Sequence, residues 1–295
     1  MNSATIESAT RLRELLKGPE IVIAPGAYDG LTARLIELEG FPVVYATGAG
    51  ISNSQYGLAD MGLTSMAEIL SQVYKMVGAV SIPVVADADT GYGNALNIFR
   101  TVREFMRAGV AAVQIEDQVS PKRCGHFSGK EVIPTKEAVL KIQAAVEARG
   151  DSNLVIIART DAIAVHGLSD AVERARAYVE AGADAIFAEA PLSREELAEV
   201  ARLVPGPKVA NMVEGGRTPL VPAAELREMG YSMVIYANCV LRSAILAAQE
   251  TLRHLHQQGH TIGILGRMVT MEERNRVTQK AWLDDLERRY VQLGL

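Results

Sequence analysis

The chain has 295 residues, 48% hydrophobic and 22% charged, which is ample for one large core and ordinary for a globular protein. A net charge of −5 provides no basic field to hold a nucleic-acid backbone or an anionic membrane, so neither is an expected partner. Cys124 and Cys239 are the only cysteines, too few for a disulfide framework or a four-cysteine zinc site. No stretch approaches the ~18 apolar residues of a membrane span, and MNSATIESATRLRELLKGPE lacks a signal-peptide core. A cytoplasmic, soluble protein is the expectation.

In chain order, short and continuously apolar runs rich in Val and Ile read as strands: IVIA (21–24), PVVYA (42–46), IPVVA (82–86), VAAVQI (110–115), LVIIA (154–158), AIFA (185–188), KVA (208–210) and MVIYA (233–237). Such runs suit parallel strands covered on both faces. Between them lie amphipathic stretches such as SMAEILSQVYKMVGAV and DAVERARAYVEAG, with apolar residues three and four apart. Gly40, Gly109, Gly182 and Gly230 stand between a helical stretch and the next strand, where a left-handed helix stop is needed. Strand and helix in eightfold alternation predict a (β/α)8 barrel, and an open doubly wound sheet is the less economical account. No linker interrupts the alternation, so one domain over 1–295 is predicted. From about 239 to 295 there is more helix than the eighth unit needs, and surplus helix at a barrel's end commonly packs on another subunit.

In a parallel barrel the reacting groups sit at the carboxyl ends of the strands. There the sequence places Tyr45-Ala46-Thr47-Gly48-Ala49-Gly50, whose glycines allow N–H groups to face an anion, and Asp87-Ala88-Asp89-Thr90-Gly91-Tyr92-Gly93. Glu116 and Asp117 follow the fourth strand, Arg159, Thr160 and Asp161 the fifth, Glu189 the sixth, Asn211 and Glu214 the seventh, and Asn238 the eighth. Carboxylates converging on one rim repel unless a cation compensates. Oxygen donors without histidine, from Asp60, Asp87, Asp89 and Glu116, point to Mg²⁺ or Mn²⁺ and away from zinc. Singly, each acid reads equally as a helix cap or a salt-bridge partner. Together they favour a site.

Between the fourth and fifth strands lies PKRCGHFSGK (121–130). Taken alone it reads as a basic surface turn. Beside an acidic rim it reads as a loop carrying a thiol, with Lys122, Arg123 and His126 near enough to lower the pKa of Cys124.

These pieces resemble the isocitrate lyase and phosphoenolpyruvate mutase superfamily over nearly the whole chain: YATGAG at 45–50, DADTGYGN at 87–94, IEDQ at 115–118, PKRCGH at 121–126, IARTDA at 157–162, FAEAP at 187–191 and NMVEGGRTPL at 211–220. The resemblance implies a (β/α)8 barrel whose last helix is exchanged between subunits of a homotetramer, and a Mg²⁺ site holding a small 2-oxo or 2-hydroxy acid. It implies Asp87 as the direct metal ligand, with Asp60, Asp89 and Glu116 acting largely through water. Tyr45, Thr47, Gly48, Ala49 and Arg159 would cradle the pyruvate-like end, and Cys124 would be the catalytic thiol. Lys122, Gly125, His126, Glu189, Asn211, Thr218 and Arg242 would complete the substrate site, several of them at a second carboxylate. The chemistry implied is retro-aldol cleavage of a 2-hydroxy di- or tricarboxylate such as methylisocitrate or 2,3-dimethylmalate, with Tyr45, or a carboxylate through water, as base. IYANCVLRSA departs from the proline and serine usual in the methylisocitrate lyases and is closer to the phosphonopyruvate-forming mutases, which lack the cysteine. Phe187 resembles the aromatic residue that accompanies alkylated substrates. The alternatives are mutase or hydrolase chemistry on a phosphonate or oxaloacetate, and a barrel that only binds small acids.

Other features have plainer readings. Cys239 reads as a small buried residue, because no cations adjoin it. His254, His256 and His260 lack an adjacent carboxylate ligand, and Gly259 weakens a helix there, so HLHQQGH reads as a solvated end. MEERNRVTQKAWLDDLERRY reads as exposed helix with local ion pairs.

Overall fold

A computed structural model describes residues 3–125 and 129–293. By internal contacts the chain divides into two compact units, 1–241 and 242–295.

The first unit is a closed barrel of parallel strands: β1 (Val22–Ala27), β2 (Val44–Ala46), β3 (Val84–Asp87), β4 (Ala112–Glu116), β5 (Val155–Thr160), β6 (Ala185–Ala188), β7 (Lys208–Asn211) and β8 (Met233–Tyr236). Each pairs with its sequence neighbours, and β8 closes on β1 through Val22↔Met233 and Ile23↔Val234. The predicted strands are all present, with shifted ends. β2 and β3 start two residues later than expected, after Pro42 and Pro83, which have no N–H to give a ladder. β1 runs on through Pro25-Gly26-Ala27, a turn-like sequence that pairs because Gly26 lets the chain approach Ala237: a Cβ at 26 would lie 2.0 Å from that residue's carbonyl oxygen. The helix stops are as expected at Gly109 (φ 94°) and Gly230 (φ 104°), both left-handed.

Inside the barrel, Ala24, Tyr45, Val85, Ile157, Phe187, Val209, Met233 and Ile235 form one apolar cluster, joined by Ala9, Leu12 and Leu16 of the helix Ser3–Lys17. That helix covers the amino-terminal mouth. Its Arg13 donates to the carbonyls of Asn153 (2.7 Å) and Leu154 (2.9 Å) just before β5, and pairs with Asp184 (2.8 Å) just before β6. With that end closed, the carboxyl ends of the strands form the other mouth. Separate clusters hold the outer helices to the strands, one of them built on Ile69, Val73, Ile98, Val102 and Phe105.

The second unit takes the remainder of the helix Cys239–Gln258, a 3-10 turn at Ile262–Arg267 and the helices Met271–Val277 and Lys280–Gln292. Its exposed ion pairs are local, as expected: Arg276 with Glu273 and Lys280 with Asp284, each at 2.7 Å. Large apolar side chains stand exposed on it, among them Leu252 (64%), Val269 (72%) and Trp282 (56%). Among the described residues no helix is long and apolar enough to cross a membrane.

Candidate active site

A cavity of about 40 Å³ at the carboxyl-end mouth is lined by Tyr45, Thr47, Ala49, Asp60, Asp87, Lys122, Cys124, Gly125, Arg159, Glu189, Asn211, Val213, Ile235, Ala237 and Asn238. Cys124, far in sequence from most of these, shares one small space with Asp87 and Arg159.

β2 delivers Tyr45 and then Thr47, which caps the helix Gly48–Tyr56 by accepting from Gly50 N–H at 3.2 Å. The YATGAG segment is therefore a helix amino terminus, whose first N–H groups have no partner within the helix. Gly48 packs against the rim acids; a Cβ there would lie 3.1 Å from Asp87 Oδ2. β3 delivers Asp87, and the turn after it holds Asp89 (φ 47°) and Tyr92 (φ 62°) in the left-handed region, a cost that packing must offset.

The acidic group is buried. Burial lifts Asp89 to about 6, with Lys122 opposing the rise. Burial also pushes Glu116 well above the usual carboxylate range, against the pull of Arg159. Lys122 donates to Asp60 and lies 2.8 Å from Asp89 Oδ1. The ammonium charge is thereby directed at the rim carboxylates. Arg123 is fixed through its backbone, its N–H donating to Gln118 Oε1 at 2.9 Å and its carbonyl accepting from Gln118 Nε2 at 2.8 Å. The Cys124 N–H donates to the Asp60 carbonyl at 3.2 Å, which seats the loop on the segment that carries Asp60.

Arg159, at the end of β5, is held from several sides. Nε donates to Asp161 Oδ2 (2.9 Å) and Nη2 to Asp161 Oδ1 (3.1 Å). Glu116 Oε2 lies at 3.3 Å and Glu189 Oε2 at 3.8 Å. Burial opposes the guanidinium's charge, but Asp161, Glu116 and Glu189 outweigh it and keep the group protonated. Phe187 is fully buried with the guanidinium 5.0 Å from its ring centroid, so this aromatic side chain supports Arg159. Asn211 Nδ2 donates to both Glu189 oxygens (3.4 and 3.3 Å).

Tyr45 lines the cavity. Burial, then the negative charge of Asp87, drives its pKa well above the ordinary phenol value, and its hydroxyl donates to Gln114 Oε1 at 3.2 Å. A phenol held protonated is a donor, which leaves the carboxylates as the candidate bases. Gln114 donates in turn to Asp87 Oδ1 at 3.5 Å. Thr218 is buried after β7 with its hydroxyl lacking a hydrogen-bond partner among the described residues, as do Asn211 Oδ1 and Asn238 Oδ1. His126 lies outside the described residues, and Arg242 belongs to the second unit. Cys239 Sγ donates to the Tyr236 carbonyl at 3.6 Å, and burial raises its thiol pKa, in keeping with a structural role.

Sequence reasoning passed over Gln114 and Lys130, and placed Asp117 and Asp161 at the strand ends without giving them a role. The first carried a signal, an amide inside an apolar strand. Lys130 and Asp161 make a buried ion pair at 2.8 Å, a spatial relation with no local pattern.

The rim has the charge to hold a cation. Asp60, Asp87, Asp89, Glu116, Asp161 and Glu189 face Lys122, Lys130 and Arg159, an excess of negative charge in a buried place. Glu116 Oε1 has no hydrogen-bond partner among the described residues. Also among these residues, no three Asp, Glu, His or Cys side chains converge as a ready-made metal shell. A hard divalent ion that keeps most of its waters and takes one carboxylate directly fits that donor set.

Residues 12–256 match the phosphoenolpyruvate phosphomutase family. The chain is 45% identical to 2,3-dimethylmalate lyase of Eubacterium barkeri, covering 97% of this chain and 99% of that one. It is 47% identical to 2-methylisocitrate lyase of Aeropyrum pernix, covering 89% and 84%. Among solved structures, 2,3-dimethylmalate lyase, a PEP mutase/isocitrate lyase superfamily member, superposes with a TM-score of 0.90 at 40% identity over 100% of this chain and 96% of that one. Oxaloacetate acetylhydrolase with 3,3-difluorooxalacetate gives 0.90 at 34% over 98% of each. Phosphonopyruvate hydrolase with oxalate and Mg²⁺ gives 0.87 at 31% over 96% and 99%.

Proposed function

The chain belongs to the phosphoenolpyruvate mutase and isocitrate lyase superfamily, and from that premise we propose that it is a Mg²⁺-dependent carbon–carbon lyase. Its substrate is a 2-hydroxy di- or tricarboxylate of the 2,3-dimethylmalate or 2-methylisocitrate type, cleaved to a 2-oxo acid such as pyruvate and a second carboxylic acid. The observation that carries this reading is the convergence of Cys124, Asp87 and Arg159 on one small cavity.

Mg²⁺, or Mn²⁺, when bound supplies Lewis-acid charge at the oxygen end of the substrate. Asp87 would hold it directly, with Asp60, Asp89 and Glu116 through water. Arg159 binds the carboxylate of the pyruvate-like end, and Gly48 and Ala49 present helix-terminal N–H groups to the same end beside the Thr47 cap. The Tyr45 phenol donates a hydrogen bond into the site. Glu116, whose Oε1 has no hydrogen-bond partner among the described residues, takes the 2-hydroxyl proton through water. The C2–C3 bond then breaks, its electron pair passing to C3 as the 2-oxo group forms. Cys124 gives its Sγ proton to C3, and the proton held by Glu116 passes to solvent, from which the thiolate is reprotonated. Asn211, Thr218, Gly125, Lys122, Glu189 and His126 are proposed for the rest of the substrate. The working form is a cytoplasmic homotetramer with exchanged terminal helices, a reading supported by the exposed apolar side chains of the second unit.

A second reading, hydrolysis or mutase chemistry on oxaloacetate or a phosphonate, is supported by the resemblance of IYANCVLRSA to the phosphonopyruvate-forming mutases and by the likeness to oxaloacetate acetylhydrolase and phosphonopyruvate hydrolase. A panel decides between them: 2,3-dimethylmalate, 2-methylisocitrate, oxaloacetate and phosphonopyruvate, each with Mg²⁺, followed by 2-oxo acid formation or consumption. Turnover of a 2-hydroxy acid supports the lyase. Turnover of oxaloacetate or phosphonopyruvate alone replaces it.

A further inference from the structure

Behind the cavity lies a buried polar chain that none of the roles above uses. Asp161 is fully buried, and its two oxygens serve two different cations. Oδ2 accepts from Arg159 Nε (2.9 Å), and Oδ1 accepts from both Arg159 Nη2 (3.1 Å) and Lys130 Nζ (2.8 Å). Burial works against the carboxylate, yet Arg159 and Lys130 hold it down at about 2, so it stays ionised. The Lys130 ammonium also donates to the Gly125 carbonyl, the residue after Cys124. Asp161 is itself fixed: its N–H donates to Asp117 Oδ1 at 2.9 Å. Asp117 Oδ2 accepts from Thr160 (2.7 Å), Tyr178 (2.7 Å) and Arg174 (3.3 Å).

We propose that Asp161 is a positioning residue that sets the Arg159 guanidinium and, through Lys130, the Cys124 backbone in one fixed relation. The proposal rests on the lyase reading for the use made of that relation, since acid and anchor must address the two ends of one substrate. One carboxylate anchoring both parts transmits the rigidity of β5 to a loop whose described residues 121–125 form no helix or strand. The fit is close on the loop side as well. A Cβ at Gly125 would lie 2.5 Å from Arg159 Nη2 and 2.6 Å from Glu189 Cγ, so the loop backbone rests directly on the guanidinium.

The arrangement separates two variants. Lys130→Met removes only the loop arm, whereas Asp161→Asn weakens both arms. Two readouts need no turnover, so they remain informative even if the lyase reading fails. The first is iodoacetamide alkylation of Cys124, mapped by peptide mass spectrometry to separate it from Cys239. The second is oxalate affinity in the presence of Mg²⁺. Lys130→Met should speed alkylation about tenfold, the size expected for loss of a charge-assisted hydrogen bond, and leave oxalate affinity within about twofold. Asp161→Asn should speed alkylation similarly and also weaken oxalate about tenfold. If Asp161→Asn does not fold, the Lys130→Met pair of readouts decides alone. Alkylation unchanged in Lys130→Met, or oxalate weakened about tenfold by it, overturns the proposal.

Discussion

Gly125 lies against the guanidinium of Arg159 so closely that the smallest side chain would not fit between them: the added carbon would stand 2.5 Å from Nη2 and 2.6 Å from Glu189 Cγ. The contact joins the loop that carries the thiol to the strand that carries the anion-binding arginine. Gly125→Ala should therefore displace Cys124 or Arg159 by a fraction of an ångström while leaving the barrel intact. The expected outcome is a fall in kcat/KM of about 100-fold, the cost of misplacing a reacting group, with a thermal midpoint near wild type. Steady-state kinetics and a melting curve check both halves.

Gly26 makes a similar contact with the opposite consequence. Its missing Cβ would lie 2.0 Å from the Ala237 carbonyl oxygen, between backbones that cannot yield as a side-chain tip can. Gly26→Ala should destabilise the fold by about 2 kcal/mol or more through overpacking at the β1–β8 closure. Urea denaturation with an unchanged m-value would show it.

Asp117 collects hydrogen bonds from Thr160, Tyr178 and Arg174 in a fully buried place. Tyr178→Phe removes one donor and leaves the carboxylate less satisfied, for a loss of about 1–3 kcal/mol measured by urea denaturation.

Asp161 gives a pH signature. Arg159 and Lys130 depress its pKa from 3.8 to about 2 in the folded chain. A depressed carboxylate contributes stability that is fully present above its unfolded pKa and is lost as pH falls through the folded value. The wild type should lose that component between about pH 4 and pH 2. Asp161→Asn, which cannot titrate there, should show a shallower fall in stability over the same window. Equilibrium unfolding by urea at stepped pH compares the two slopes.

The barrel was legible because its strands are continuous Val- and Ile-rich runs and its helices stop at glycines such as Gly109 and Gly230, both of which prove left-handed. The rim acids were legible because a parallel barrel places chemistry after its strands. Other features depend on space. Nothing near Tyr45 in sequence reveals that burial and the charge of Asp87 raise the pKa of its phenol. Lys122 sits beside Cys124 in the chain, yet its ammonium reaches Asp60 and Asp89. The packing of Phe187 against the Arg159 guanidinium likewise appears only in the folded chain, because a strand residue's face depends on register. Lys130 and Asp161 stand thirty-one positions apart and meet only in the folded chain.

The central claim is that the Cys124 thiol protonates the carbon released when the substrate breaks. The direct measurement is single-turnover 2-oxo acid formation by Cys124→Ser with Mg²⁺ and the best substrate of the panel, alongside oxalate binding by the same variant. The account predicts a loss of at least about 1000-fold in the chemical step, within the range for a positioned general acid, with oxalate binding retained. Turnover near the wild-type rate would contradict it, because the proton would then have to come from another group.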